Sequence, residues 1–347
     1  MENYTLRYQS VIPPYMLRRI IEKGSEHQRR YAQHTLTHVH ALMGHNPLPI
    51  RYQAAAQAGK ADRAIYDARN TMDLPGTLLR KESQSPVTDV AGNEAYDYLG
   101  VTYDFYWQIF HRNSLDDKGL PLIGSVHYGT AYQNAFWNGE QMVFGDGDGE
   151  IFNRFTIAID VVAHELTHGV TESEANLSYF EQSGALNESM SDVFGSLVKQ
   201  FHLHQSAEQA DWIIGEGLLA STIKGKGLRS MSAPGTAYDD PVLGKDPQPA
   251  EMANVVHTRE DNGGVHLNSG IPNRAFYLAA IALGGNAWEK AGNIWYATLC
   301  DTRLAQNADF AAFAQLTVKH AGELFAADAA AAVTDAWRQV GVLAKAK

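Results

Sequence analysis

The 347-residue sequence predicts an α+β protein with a strand-rich body half, a helical body half and a small helical head. Three observations predict it. Short β-like segments broken by turn residues, such as GSVHYG and QMVFGDGDGEIF, run from about residue 60 to 157. Helical patterns dominate after residue 158. Strands followed by helices, rather than alternating with them, give an α+β arrangement.

In the head, apolar residues recur at helical spacing, first at Leu17, Ile20 and Ile21 and later at Leu36, Val39, Leu42 and Met43. They predict two short helices broken near Gly24-Ser25. GHNPLPI then ends the second helix, since proline cannot continue it. RYQAAAQAGKADRAIYDARN (51–70) is polar and alanine-rich and reads as an exposed linker or the approach to a strand. Residues 1–50 therefore form an appendage too small to be stable alone.

Within the strand-rich half one helix is expected over NEAYDYLGVTYDFYWQIF. The helical half offers IAIDVVAHELTHGVTESEA, GALNESMSDVFGSLVKQFHLH, SGIPNRAFYLAAIALG and DAAAAVTDAWRQVG. The expected units are residues 1–50, residues 51–175 and residues 176–347. There are no internal repeats.

Apolar residues make up 45% of the chain and charged residues 19%, as in an ordinary globular protein. A net charge of -11 argues against nucleic acid as a partner and disfavours an anionic membrane. Residues 1–50 carry six basic and three acidic side chains, or +3; the remainder carries 22 and 36, or −14. A basic head could dock on an acidic body. Cys300 is the single cysteine, so no intrachain disulfide is expected, and NIWYATLC reads as the setting of a buried structural thiol. The first twenty residues lack a signal-peptide core and no later run approaches a membrane span. The expected location at synthesis is cytoplasmic, with any export leaderless.

Two pentapeptides place histidines four apart: His34-Thr35-Leu36-Thr37-His38 and His164-Glu165-Leu166-Thr167-His168. On a helix this spacing leaves side chains about 40° apart on one face, so His164 and His168 can share one zinc ion. Glu165 flanks that face and can take a proton from the attacking water. A hydrolytic zinc needs a third protein ligand, and GALNESMSDVF offers Glu188 on a second predicted helix. Asp192, one turn on, can accept the free N–H of a ligand histidine and fix its tautomer. The first pentapeptide has threonine where the base belongs and no nearby acidic ligand. It reads as an ordinary helix face.

With these residues in hand, the sequence resembles the thermolysin-like zinc metallopeptidases. DVVAHELTHGVT, GALNESMSD, NAFWNGEQMVFGDGDG, LRSMS and DNGGVHLNSGI match that family's segments in its order, over roughly residues 95–347. The head resembles the short propeptide of the protealysin-like branch, whose mark is a double proline, here in VIPPYML. The resemblance implies a two-lobed metallopeptidase with a zinc cleft between a strand-rich and a helical lobe, acting on peptides and proteins. It also implies that residues 1–50 are a removable, inhibitory propeptide, cut between about 45 and 62.

The same resemblance implies individual roles. His266 would stabilise the oxyanion, oriented by Asp261, with Tyr179 as second donor. Asn134 and the Ala135 backbone would hold an extended peptide like an added strand. Arg229 would bind a substrate carbonyl. Phe152, Phe155, Val161 and Leu228 would line the pocket after the scissile bond and favour large hydrophobic residues there.

The pattern breaks at the family's calcium sites. Asp160, Asp211 and Glu216 match acidic ligands of the paired site, but Lys199 and Ile213 stand where two more carboxylates belong, and Lys226 replaces an acid of another site. No calcium is expected there, an ammonium taking the cation's place. GDGDGE lacks the glycine of a calcium loop, with Ile151 in its position, and reads as a turn. Two other readings stay open: a zinc-binding interaction protein with a dormant site, and a zinc enzyme acting on a non-peptide amide.

Overall fold

The computed structural model describes residues 9–43 and 57–344. GHNPLPI and the first residues of the expected linker lie outside the described residues.

The head forms a two-residue strand β1 (Gln9–Ser10) and two helices, α1 (Pro14–Lys23) and α2 (Glu26–Met43). Pro14 opens α1, where a missing N–H costs nothing and a fixed φ suits the first turn. The predicted break at Gly24-Ser25 is a reciprocal cap. The Ser25 N–H donates to Gln28 Oε1 at 2.8 Å, and the Gln28 N–H donates to Ser25 Oγ at 3.2 Å. Val11, Ile12, Met16, Leu17, Ile20, Ala32 and Leu36 are buried in the same apolar cluster as the body, so the head shares the body's core.

The strand-rich lobe contains β2 (Arg63–Asp67), β3 (Thr77–Lys81), β4 (Leu122–Val126), β5 (Ala135–Trp137) and β6 (Met142–Phe144). Of the two readings of 51–70, the approach to a strand fits, since β2 begins at Arg63. The sheet order is β1-β5-β6-β4-β2-β3, with β4 parallel to both β2 and β6 and the remaining pairs antiparallel. Long helix α3 (Val90–Phe110) packs against this sheet, started by Asp89, whose carboxylate accepts the Gly92 N–H at 2.7 Å. β1 belongs to the head yet forms one outer strand of the sheet, on the edge of β5.

Helices α4 (Ile159–Ser173) and α5 (Glu181–Leu203) follow, both almost wholly buried. They pack so closely that a Cβ at Gly195 would lie 2.5 Å from the Asp160 carbonyl oxygen, so only glycine fits. Beyond them come α6 (Asp261–Asn268), α7 (Gly270–Leu283), α8 (Asn293–Leu299) and α9 (Phe310–Gln339). A short antiparallel pair, β7 (Ile213–Ile214) and β8 (Arg229–Ser230), sits beside α5. Cys300 corrects an expectation: it is exposed, at the residue on which α8 ends.

Among the described residues no helix is long and apolar enough to cross a membrane.

Candidate active site

Helix α4 presents His164 and His168 on one face, their Nε2 atoms 3.2 Å apart. Glu188, from α5, places Oε2 3.5 Å from His164 Nε2 and Oε1 3.5 Å from His168 Nε2. All three residues are buried. The outer ring nitrogens are committed elsewhere. His164 Nδ1 lies 2.9 Å from Asp192 Oδ1, and His168 Nδ1 lies 2.8 Å from Asn187 Oδ1. Those oxygens only accept, so each Nδ1 carries the proton and each Nε2 turns a lone pair inward. Two lone pairs and a carboxylate thus converge, and Glu188 Oε2 has no hydrogen-bond partner. Such electron-rich groups repel one another unless a cation joins them, so the donor set fits a divalent metal of zinc's preference.

Asp192 is held from three sides. Besides His164 it accepts both forks of Arg229, each at 2.8 Å, and the Asn273 amide at 2.8 Å. Burial alone would raise its pKa, but Arg229 and His164 hold the carboxyl far below the ordinary range. Arg229 is placed by β8, and its remaining Nη1 donates to the Val11 carbonyl at 3.2 Å.

Glu165, which follows His164 on α4, is also buried. Its Oε2 accepts the Trp137 N–H of β5 at 3.2 Å, and its Oε1 has no partner. His266 reaches the site because Asn262, Gly263 and Gly264 all take left-handed φ values, 50°, 84° and 80°, bending the start of α6. Asp261 orients it, with Oδ1 2.6 Å from Nδ1 and Oδ2 accepting the His266 N–H at 3.0 Å. The Tyr179 hydroxyl donates to Glu188 and lies 3.3 Å from His266 Nε2. Phe152, Phe155, Val161 and Leu228 are buried in one apolar cluster.

The head occupies the groove beside these residues. Gln9 and Ser10 pair antiparallel with Trp137 and Phe136. The Val11 N–H donates to the Ala135 carbonyl at 3.3 Å. Asn134 grips Ile12 at both ends, accepting its N–H at 3.0 Å and donating to its carbonyl at 3.1 Å. The Ser10 carbonyl lies 3.1 Å from His266 Nε2.

Sequence reasoning missed Asn187, Asn273 and the three groove residues Ser10, Val11 and Ile12. Asn187 adjoins Glu188 in GALNES, and VIPP follows Ser10 directly; no comparable signal marked Asn273. The first pentapeptide is not a metal site. His34 is exposed, and His38 lies between two tyrosine hydroxyls, each 3.1 Å away on Tyr132 and Tyr128. Among the carboxylates that match the family's paired calcium site, Lys199 Nζ lies 2.7 Å from Asp211, 3.1 Å from Glu216 and 3.6 Å from Asp160. In GDGDGE, Asp148 caps the turn by accepting the Ile151 N–H at 2.8 Å.

Residues 48–172 match the thermolysin metallopeptidase catalytic domain, and residues 175–342 its alpha-helical domain. The chain belongs to the thermolysin metallopeptidase family. Residues 9–49 match the protealysin propeptide, so this metalloprotease carries a protealysin-type leader. An extracellular metalloprotease of Pectobacterium carotovorum subsp. carotovorum is 66% identical over 334 residues, 96% of each chain. Protease PrtS of Photorhabdus sp. (strain Az29) is 53% identical over 345 residues, 97% of this chain and 93% of that protein. The solved precursor of protealysin, a metalloproteinase from Serratia proteamaculans, superposes with a TM-score of 0.91 at 69% identity, covering 96% of this chain and all of that one.

Proposed function

We propose that the chain is the precursor of a neutral zinc endopeptidase, silenced by its leader, residues 1–50, through the segment Ser10–Ile12 lying in its own substrate groove. The observation that carries this reading is the run Ser10–Ile12, whose main chain takes up the hydrogen bonds of β5, Asn134, Arg229 and His266 that an extended peptide substrate would need.

His164, His168 and Glu188 would hold zinc, which supplies a Lewis acid for a carbonyl and lowers the pKa of water. Glu165 takes the proton of the attacking water and returns it to the leaving amine. His266, kept in place by Asp261, and Tyr179 donate to the oxyanion as charge develops. Asp192 fixes the His164 ring and, through Arg229, links that ring to the groove. Phe152, Phe155, Val161 and Leu228 favour a large hydrophobic residue after the bond. Lys199 replaces calcium at the acidic cluster of Asp160, Asp211 and Glu216.

The test is to incubate the purified full-length protein with and without a zinc chelator. Its mass and its hydrolysis of a peptide with Phe or Leu after the bond are followed together. Loss of roughly 50 residues, with activity that appears alongside and disappears with chelator, is the expected result. An uncut chain as active as the truncated one would overturn the inhibitory role; a truncated chain inactive with zinc would overturn the peptidase reading.

A further inference from the structure

We propose that the leader is a slow substrate rather than an inert plug, and that Ser10–Val11 is its reactive bond. This rests on the reading that residues 1–50 inhibit from within the groove.

Contacts flank this one peptide bond on both sides. On its acyl side, the Ser10 carbonyl oxygen lies 3.1 Å from His266 Nε2, the donor assigned to the oxyanion. On its amine side, the Val11 N–H is held by the Ala135 carbonyl at 3.3 Å and the Val11 carbonyl by Arg229 at 3.2 Å. Strand β5 contacts the base as well as the substrate. Two residues beyond Ala135, the Trp137 N–H binds one oxygen of Glu165, and the other oxygen is buried without a partner. The Val11 side chain is fully buried in the apolar core that the head shares with the body. The residue after the bond is thus apolar and out of water, in keeping with the proposed preference for a hydrophobic side chain there.

The reaction is ordinary hydrolysis. Water adds to the Ser10 carbonyl carbon and the C–N bond breaks. The Val11 nitrogen keeps the electron pair and takes a proton, leaving a Ser10 carboxylate and a Val11 ammonium.

The same contacts explain why such a bond inhibits. Both products stay anchored after cleavage. The acyl side remains paired to β5 through Gln9 and Ser10. The amine side remains gripped at Ile12 by Asn134 and is continued by Pro13 and α1, whose Met16, Leu17 and Ile20 are buried in the body. Held ends raise the effective concentration of each product at the other and favour resynthesis over release. The bond is attacked repeatedly and released rarely.

The experiment follows the zinc-loaded full-length protein by acid-quenched intact mass and N-terminal sequencing, beside peptide hydrolysis. The expected result is a subset of chains beginning at Val11, shorter by ten residues, absent with chelator and in Glu165→Gln. Val11→Leu keeps this cut and Val11→Asp abolishes it. In metal-free full-length protein, where no self-cleavage occurs, Val11→Asp also speeds trypsin nicking at Arg18 and Arg19 at least tenfold over wild type. An inactive precursor that never yields a chain starting at Val11, whatever other cuts occur, overturns the inference and leaves the inhibitory reading standing. A precursor with an intact Ser10–Val11 bond that is as active as the truncated enzyme overturns both.

Discussion

The carbonyl oxygen of Ser10 lies 3.1 Å from Nε2 of His266, 256 residues away along the chain. The histidine assigned to the oxyanion is therefore occupied by the protein's own leader in the uncut chain. No incoming peptide can use it until the leader moves.

The forces holding the leader are mostly apolar. The ion pairs it makes with the body, Arg18–Glu260 and His27–Glu150 among the described residues, are exposed at both partners, and exposed pairs contribute about 0–1 kcal/mol. Ile12 is fully buried, and a carboxylate buried there would cost several kcal/mol. In the uncut protein, Ile12→Asp should raise peptide hydrolysis at least tenfold, whereas Arg18→Ala should stay within about twofold of wild type. High salt should activate the precursor little; strong salt activation would return the weight to charge.

Glu165 stands one residue from a metal ligand but has no place among the ligands. Glu165→Gln in the truncated enzyme should leave one zinc per chain by elemental analysis and lower kcat/KM by about 10²–10⁴-fold, the usual contribution of a positioned base. Loss of zinc with the activity would make Glu165 a structural part of the metal site instead.

The zinc face was legible in the sequence because an i, i+4 pair fixes its own geometry once the segment is a helix. Glu188 and Asp192 were legible for the same reason, one turn apart on a second helix. The leader's hold on the groove was not. β1 is two residues long, without periodicity to detect, and its partner Trp137–Phe136 lies over 120 residues away. Asn187 and Asn273 are ordinary amides whose duties exist only once α4, α5 and α7 pack. Cys300 misled because apolar neighbours in NIWYATLC suggested burial, whereas a helix end decides its exposure.

Lys199 holds together three carboxylates that would otherwise repel. Asp160 is buried, and burial raises its pKa to about 6 even against the nearby ammonium. Lys199→Met should therefore destabilise the fold by about 3 kcal/mol, the usual cost of removing one partner of a buried pair. Calcium should leave the wild-type Tm unchanged in a thermal melt. A calcium-dependent rise in wild type would show that the ammonium does not substitute for the ion.

His127 supplies a pH-dependent tie away from the cleft. It follows β4 directly, with Nδ1 2.9 Å from Asp146 beyond β6 and Nε2 2.8 Å from Asp89, the cap of α3. The Asp146 hydrogen bond, opposed by partial burial and reinforced by Asp89, pushes its pKa up to about 9. A histidine whose pKa is raised on folding stabilises fully below its unfolded value of about 6.5, and that contribution fades as pH rises through about 9. His127→Gln should thus cost on the order of 2 kcal/mol near pH 6, since a tenfold gain in proton affinity corresponds to about 1.4 kcal/mol and partial exposure to solvent weakens the effect. Thermal melts of both proteins at about pH 6, 8 and 10 should show the difference in Tm shrinking with pH. A constant difference would mean that the ring's packing, and not its charge, holds α3 to the strands.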